Sequence, residues 1–331
     1  MINTLQAGRF MAAMAVVLHH AVISVAAFVE TPPWFVYSLL EYGYLGVDFF
    51  FVLSGFIIHY TMSLKPRPAP QFALDRLGRI LLPYWPVGVA LAVAYTLLPA
   101  LSDSGRSWSW LSTLTLIPTE APPALSVAWT LQHELVFYLI YATLFFTSQI
   151  SSGLALWGLA IILGPIWLAP ELPVLKIALA PIDLEFIAGV AAASFFLSKH
   201  KTSTAWSVSL SSLFLFAFLV LGADRDESAL IGLSIASLLP CLCRFEEAGR
   251  FFVPSWLVFG GAASYAIYLT HNPLLSLTSR AFGLLGSEWL IAIIASVIVC
   301  TFVGVLYYAT FERPIMQIYK RIQNNSLSLR M

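Results

Sequence analysis

The fold is decided by long apolar runs such as residues 39–61, whose central part reads Gly43-Tyr44-Leu45-Gly46-Val47-Asp48-Phe49-Phe50-Phe51-Val52-Leu53-Ser54-Gly55-Phe56. A helix needs about 20 predominantly apolar residues to cross the hydrocarbon core of a bilayer, so this run is long enough to span a membrane. Gly43, Gly46 and Gly55 permit the close approach of another helix or a local break. Burying the carboxylate of Asp48 costs free energy, which makes this residue a functional candidate.

The composition of the whole chain extends this interpretation. Of its 331 residues, 59% are hydrophobic and 10% are charged, whereas a soluble domain usually has about 25% charged residues. We therefore expect an all-α polytopic membrane protein with about ten transmembrane helices. The formal net charge is zero, so nothing in the overall charge favours nucleic acid. The three cysteines have neither a disulfide framework nor metal-ligand spacing, and we predict no metal site.

Ten spans are predicted where hydropathy stays high between charges, prolines and glycines. They are residues 10–29, 39–61, 80–98, 129–147, 153–169, 183–198, 206–222, 229–241, 253–277 and 289–311. The eighth of these is short for a membrane crossing. We expect residues 1–322 to form a single integral membrane domain and residues 323–331 to form a polar, frayed cytoplasmic tail.

The distribution of basic residues predicts the orientation of the chain. If the N-terminus is cytoplasmic, the lysines and arginines of the outside loops are Arg106, Lys176, Arg225 and Arg280. All others lie inside, so the positive-inside rule favours a cytoplasmic location for both termini. A basic, proline-rich loop over residues 63–75 is then inside, and residues 99–128 are outside. The tryptophans of that outside segment, Trp108 and Trp110, suit an interfacial aromatic belt or a surface on which a sugar stacks.

Arg9 and His20 lie eleven residues apart in the first predicted span. Eleven steps of about 100° bring them to one face of a helix, and a rise of about 1.5 Å per residue puts His20 near the middle of the membrane. His19 is rotated by about 100° toward another neighbour. A histidine at that depth is either a functional base or a structural group bonded to a neighbouring helix. Asp48 would suit it as a partner, unless this carboxylate is only an interhelical hydrogen-bond acceptor.

Arg76 and Arg79 share a helix face just before the third predicted span. Two guanidinium groups at a cytoplasmic membrane edge match the geometry of phosphate oxygens. The alternative is that both side chains extend to lipid headgroups.

A polar stripe opens the fourth predicted span, where Thr130, Glu134 and Tyr138 are spaced by four residues. The carboxylate of Glu134 suits the hydroxyl or amide of a substrate. His133 lies off this stripe, and we interpret it as structural.

Four other polar residues lie within predicted spans. Tyr268 and His271 share a helix face, so His271 is either a second site residue or a core histidine. His59 and Glu185 lie near the ends of their spans, and we expect both to reach water and to be structural.

Together these motifs resemble the acyltransferase type 3 family of bacterial membrane proteins, especially its short members that acetylate exopolysaccharides or lipid-linked glycans. The resemblance runs along nearly the whole chain. It includes Gly8-Arg9 with His20, the glycine- and phenylalanine-rich stretch around Asp48, Arg76 with Arg79, the Trp129 to Glu134 segment, Ser264-Tyr265 to His271, and Phe311-Glu312-Arg313-Pro314. One departure is Thr130, which replaces the serine of the family and keeps its hydroxyl.

The resemblance implies an activity: transfer of an acyl group, most often acetyl, from cytoplasmic acyl-CoA to a carbohydrate hydroxyl. It implies that His20 is the base and that Asp48 orients it. Roles in binding are implied for two further sets of residues: Arg9, Arg76 and Arg79 for the donor, and Thr130, Tyr138 and His271 for the substrate. We group Glu134 with the catalytic residues.

The same resemblance implies a multi-pass protein of the bacterial cytoplasmic (inner) membrane. Its expected partners are a carbohydrate or lipid-linked glycan acceptor, membrane lipid and polysaccharide assembly proteins, with no nucleic acid. A second interpretation stays open at this stage, because intramembrane His, Asp and Glu residues also suit a proton-coupled transporter or a flippase.

Overall fold

The computed structural model describes residues 2–99, 107–167, 171–198, 204–221 and 228–328. Within these ranges the regular secondary structure is helical throughout. The helices are α1 (Asn3–Phe28), α2 (Trp34–Glu41), α3 (Gly46–Leu64), α4 (Ala69–Leu97), α5 (Trp110–Thr115), α6 (Trp129–Phe146), α7 (Ile150–Trp167), α8 (Pro173–Ala178), α9 (Leu184–Leu197), α10 (Thr204–Leu221), α11 (Ser228–Glu247), α12 (Ser255–Leu284), α13 (Trp289–Tyr307) and α14 (Arg313–Ser328). Helices suit a lipid environment because they satisfy their backbone hydrogen bonds internally.

Each of the ten predicted spans overlaps a helix of at least 14 residues, the shortest of these being α9. Among the described residues, five helical segments are long and apolar enough to cross a membrane, namely Asn3–Phe28, Trp34–Leu64, Ala69–Leu97, Ala229–Glu247 and Trp289–Asn325. Two shorter apolar helices cover Ile150–Gly164 and Thr204–Val220. The all-helical prediction is confirmed for this part of the chain, and the number of crossings and the sidedness of the termini stay predictions.

Several boundaries differ from the predicted ones. The helix of the eighth span extends from Ser228 to Glu247 and continues through Pro240, because a membrane helix tolerates an internal proline. The loop predicted over residues 63–75 is shorter, since α3 ends at Leu64 and α4 begins at Ala69. The predicted frayed tail is helical as far as Ser328. Some basic residues used to predict sidedness lie outside the described residues, namely Arg106, Lys199, Lys201, Arg225 and Arg330.

The described residues group into two compact units, each assembled from separate parts of the chain. Unit 1 comprises Met1–Val16, Tyr44–Ala69 and His133–Ala262. Unit 2 comprises Val17–Gly43, Pro70–Gln132 and Ala263–Met331. The single membrane domain over residues 1–322 stays a prediction.

Glycines set the packing of α3 in unit 1. A Cβ atom on Gly55 would overlap the carbonyl oxygen of Phe186 in α9, and one on Gly189 of α9 would overlap the carbonyl oxygen of Val52 in α3. Gly46 likewise lies against the backbone of α1. Of the two alternatives that the sequence left open, close approach or a local break, the structure shows close approach at Gly46 and Gly55. At these glycines the backbones of neighbouring helices come into contact. Membrane helices pack closely in this way where their residues are small.

The first turn of α1 in unit 1 is capped by a side chain from the end of α11. The two carboxylate oxygens of Glu246 accept hydrogen bonds from the backbone N–H groups of Asn3 and Thr4, both at 2.7 Å. The first N–H groups of a helix have no partner within the helix, so this carboxylate satisfies two of them. The contact fixes the start of the helix that carries Arg9.

Three tyrosines hold α4 in unit 2 by donating to its backbone carbonyls. Tyr265 of α12 donates to Ile80 at 2.9 Å, and Tyr307 of α13 donates to Pro83 at 2.7 Å. Tyr319 of α14 donates to Leu74 at 2.9 Å. These bonds lie on either side of Arg76 and Arg79 along the chain, so the segment that carries the arginine pair is anchored to three other helices.

Candidate active site

Two histidines from distant parts of the chain meet in unit 2. Nδ1 of His20, on α1, lies 3.2 Å from Nε2 of His271, on α12. The other ring nitrogen of His271, Nδ1, lies 2.6 Å from the backbone carbonyl oxygen of Tyr268. His271 has no exposed surface. The pair is an imidazole dyad of one buried and one partly buried ring, and the sequence, taken helix by helix, does not reveal it.

The neighbouring histidine has a different partner. Nδ1 of His19 lies 2.6 Å from the backbone carbonyl oxygen of Glu41, and its ring meets that of His20 edge-on at 4.9 Å between centroids. The predicted divergence of the two adjacent histidines is confirmed in the described structure. His19 is a buried histidine bonded to another helix end.

A hydroxyl cluster lies next to the dyad in unit 2. The Thr130 hydroxyl lies 2.9 Å from the hydroxyl of Tyr268, and both are within hydrogen-bond distance of the carbonyl oxygen of Val127. A few residues further on, Asn272 donates to the Ser126 hydroxyl. These contacts hold the part of α12 that carries His271 against the start of α6.

The carboxylate of Glu134 lies in a polar group in unit 1. Its Oε1 atom accepts hydrogen bonds from the hydroxyl of Ser54, at 3.0 Å, and from that of Tyr138. Tyr138 is one turn along α6, so the predicted stripe places these two polar groups in contact. Ser54 comes from α3 and is a partner that the sequence analysis did not identify.

Two further buried groups lie in unit 1. His133 bonds through Nδ1 to Oδ1 of Asp183 at 2.8 Å, and both side chains are buried. This supports the structural interpretation of His133, and it identifies Asp183 as a residue that the sequence analysis missed, although it stands at the first position of the sixth predicted span. Glu185 is fully buried. The expectation that it reaches water was wrong, because Gly232 of α11 packs directly on its side chain.

The remaining predicted site residues divide between the two units. Arg9 and Asp48 belong to unit 1, where Arg9 is partly buried and Asp48 is 1% exposed in the first turn of α3. Arg76 and Arg79 belong to unit 2 and are partly buried. Contact between His20 and Asp48 stays a prediction.

The arginine pair suits a phosphate ligand. Arg76 and Arg79 are three residues apart in α4, and the guanidinium of Arg76 lies over the ring of Phe72 at 5.5 Å from its centroid. This aromatic contact restricts the orientation of the guanidinium, which is planar and binds phosphate oxygens through two parallel N–H bonds. No group of three or more His, Cys, Asp and Glu side chains is arranged to hold a metal among the residues described here.

The fold is that of a helical membrane protein, with a histidine dyad and an arginine pair in unit 2 and a buried carboxylate, Asp48, in unit 1. Residues 2–309 match the sequence pattern of the acyltransferase domain, so the chain belongs to the acyltransferase type 3 family and is an acyltransferase. It is 30% identical to the exopolysaccharide production protein ExoZ of Rhizobium meliloti (strain 1021), over 83% of this chain and 90% of that protein. No solved structure is detectably similar to the chain.

Proposed function

We propose that the protein is a membrane O-acyltransferase of the bacterial cytoplasmic membrane. It moves an acyl group, acetyl in our proposal, from cytoplasmic acyl-CoA to a hydroxyl group of an exopolysaccharide or lipid-linked glycan. Family membership supports the reaction class, and similarity to an exopolysaccharide production protein supports the class of acceptor. The observation that carries the proposal is the partly buried contact between His20 and His271.

A base is the main requirement of this reaction, because a sugar hydroxyl is a poor nucleophile and a thioester is a good electrophile. In our proposal, the imidazole of His20 takes the proton from the acceptor hydroxyl while the hydroxyl oxygen bonds to the acyl carbon. The carbon–sulfur bond of the thioester breaks, and CoA leaves as a thiolate. The proton then passes from His20 to the thiolate sulfur, so the products are the ester and CoA thiol. Asp48 is proposed to stabilise the imidazolium.

The arginines are proposed to bind the donor. Arg76 and Arg79 hold CoA phosphates, and Arg9 adds a third cation. A guanidinium is suited to this because its N–H groups match two phosphate oxygens at once. The tyrosine hydrogen bonds to α4 hold the segment that carries Arg76 and Arg79 against other helices, which supports this assignment.

Glu134 is proposed to bind the acceptor. A carboxylate has about four lone-pair positions, and the hydrogen bonds from Ser54 and Tyr138 converge on one oxygen, Oε1. We propose that the carboxylate also accepts a bond from the hydroxyl of the sugar. Tyr138 then orders Glu134, and Thr130 orders Tyr268 beside the dyad.

The proposal is tested in a deletion strain complemented with single variants. The glycan of the deletion strain should lack O-acyl groups by mass spectrometry, and the unaltered gene should restore them. His20→Ala should fail to restore them, since a general base contributes about 10²- to 10⁴-fold to the rate. His19→Ala, the matched control, should retain most activity because that ring bonds to Glu41.

Each variant must be shown to be present in the membrane and monodisperse after purification, so that misfolding is not mistaken for lost chemistry. A deletion strain whose glycan keeps its full acylation would contradict the proposed acceptor. An active His20→Ala enzyme would show that another group is the base.

A further inference from the structure

We propose that His271 is a positioning residue that fixes the tautomer of His20 with its proton on Nδ1 and its lone pair on Nε2. The inference rests on the proposed function, in which His20 is the base. In this inference the neutral imidazole of His271, on α12, orients His20, in addition to any effect of Asp48.

The first step concerns the proton of His271. Its Nδ1 lies 2.6 Å from the carbonyl oxygen of Tyr268, and a carbonyl oxygen only accepts hydrogen bonds. Nδ1 of His271 must therefore carry a hydrogen. In the neutral ring the other nitrogen, Nε2, then has a lone pair and is an acceptor.

The second step follows the bond to His20. Nε2 of His271 lies 3.2 Å from Nδ1 of His20, so an acceptor at Nε2 requires a hydrogen on Nδ1 of His20. The alternative arrangement needs a doubly protonated His271 that donates from Nε2. Such a cation would have no exposed surface, and burying a charge among membrane helices carries a large cost in free energy. The neutral arrangement is favoured, and it leaves the lone pair of His20 on Nε2.

Contacts around the dyad hold the two helices in register. One turn beyond each histidine, the Ser24 hydroxyl of α1 donates to the carbonyl oxygen of Leu275 of α12 at 3.2 Å. The thiol of Cys300, on α13, contacts the carbonyl oxygen of His271 at 3.7 Å. The ring of His271 is thus hydrogen-bonded to its own helix, and that helix is hydrogen-bonded to α1 one turn away.

This arrangement suits the chemistry of a base inside a membrane. When Nε2 of His20 accepts a proton, the Nδ1–H bond to His271 persists and strengthens, because a charged donor makes a stronger hydrogen bond. His271 stays neutral throughout, so it adds no permanent charge next to the ring of His20. The same lone pair on Nε2 would serve an acyl-histidine intermediate, so the inference holds for either route of transfer.

The test compares His271→Leu, which removes the acceptor, with His271→Gln, whose amide oxygen reaches about the position of Nε2. We expect His271→Leu to lower kcat about 100-fold or more, with the KM for acetyl-CoA changed by less than about three-fold, because loss of the correct tautomer impairs proton transfer rather than donor binding. His271→Gln should recover part of the lost kcat. The matched control is His19→Gln, which changes the buried histidine next to His20 on α1 and should keep most activity.

A nitrogen-15 NMR spectrum of the histidine rings supplies the readout that a purely structural role would not change. In the unaltered protein, Nδ1 of His20 should be protonated and Nε2 should not. In folded, monodisperse His271→Gln the same pattern should persist, whereas in His271→Leu it should change to a different tautomer or to a mixture. An active His20→Ala enzyme would contradict the proposed function itself. If His20 is essential but carries its proton on Nε2, or if His271→Leu keeps its kcat, only the inference about His271 is overturned.

Discussion

At the scale of single residues, one step along α1 separates two different environments. His19 bonds to the carbonyl of Glu41, whereas His20 meets His271. The helical rotation of about 100° per residue predicts this divergence without any knowledge of the neighbouring helices. The partner of each histidine cannot be predicted in this way, because it depends on which helix lies opposite.

Residues missed by the sequence analysis share that cause. Asp183 and Glu246 act on groups that are 50 and more than 240 residues away in the chain. Both are acidic residues near helix ends, where an exposed position is the usual expectation. Only the packing shows that one pairs with a buried histidine and the other caps a helix.

The arginines that we propose to bind the donor allow a prediction at this scale. Replacing Arg79 with alanine should weaken acetyl-CoA affinity about ten-fold or more, because a hydrogen bond to a charged group contributes roughly 1.5 to 3 kcal/mol. Arg79→Lys should recover only part of the affinity, since an ammonium lacks the two parallel N–H bonds. Isothermal titration of the purified protein with acetyl-CoA measures both variants.

The control for this experiment is Lys65→Ala, which removes an exposed cation from the loop before α4. Its acetyl-CoA affinity should stay within about two-fold of the unaltered protein, as is usual for an exposed charge. If Arg79→Ala binds acetyl-CoA as tightly as Lys65→Ala does, the arginines interact with lipid headgroups instead.

At the scale of helices, the lengths of the apolar runs predicted where the long helices lie. The observed ends of several helices differ from the predicted ones because of features of the backbone. Pro240 stands inside α11, and a π-helical turn over Tyr308–Glu312 joins α13 to α14. Hydropathy describes how apolar the side chains are, and it carries little information on the residue at which the backbone hydrogen bonds of a helix end. The positions of Gly46 and Gly55 were more informative, because a missing side chain in an apolar helix indicates a close neighbour.

The glycine contact between α3 and α9 provides an element-scale prediction. Gly55→Ala should lower the thermal stability of the purified protein, because the added methyl group overlaps the carbonyl of Phe186 and overpacking typically costs about 1 to 3 kcal/mol. Gly158→Ala is the matched control, since a Cβ atom there lies 3.5 Å from Ile187 of the same helix α9. A melting curve in detergent should show a lower Tm for Gly55→Ala alone. Equal melting temperatures would mean that α3 and α9 are not in backbone contact.

At the scale of the whole molecule, the sequence predicted a helical membrane protein and its family, and it did not predict the two compact units. Each unit combines segments from both halves of the chain, such as Val17–Gly43 with Ala263–Met331 in unit 2. Lipid is as apolar as leucine, so hydrophobicity alone does not determine which helices pack together. The pairing of His20 with His271 within unit 2 is a consequence of that assembly, which explains why neither span predicted it.

The sidedness of the loops is the last prediction, and it connects the fold to the donor. Reporter fusions at Pro68 and at Ser107 should report opposite sides of the membrane, with Pro68 in the cytoplasm, because basic residues concentrate in the loops predicted to be inside. The two sites flank α4, a helix of 29 residues that is long enough to cross the bilayer. Cytoplasmic acetyl-CoA can reach Arg76 and Arg79 only if the Pro68 end of α4 is inside. Equal sidedness at the two positions, or an external Pro68, would overturn both the predicted orientation and the proposal that Arg76 and Arg79 bind CoA.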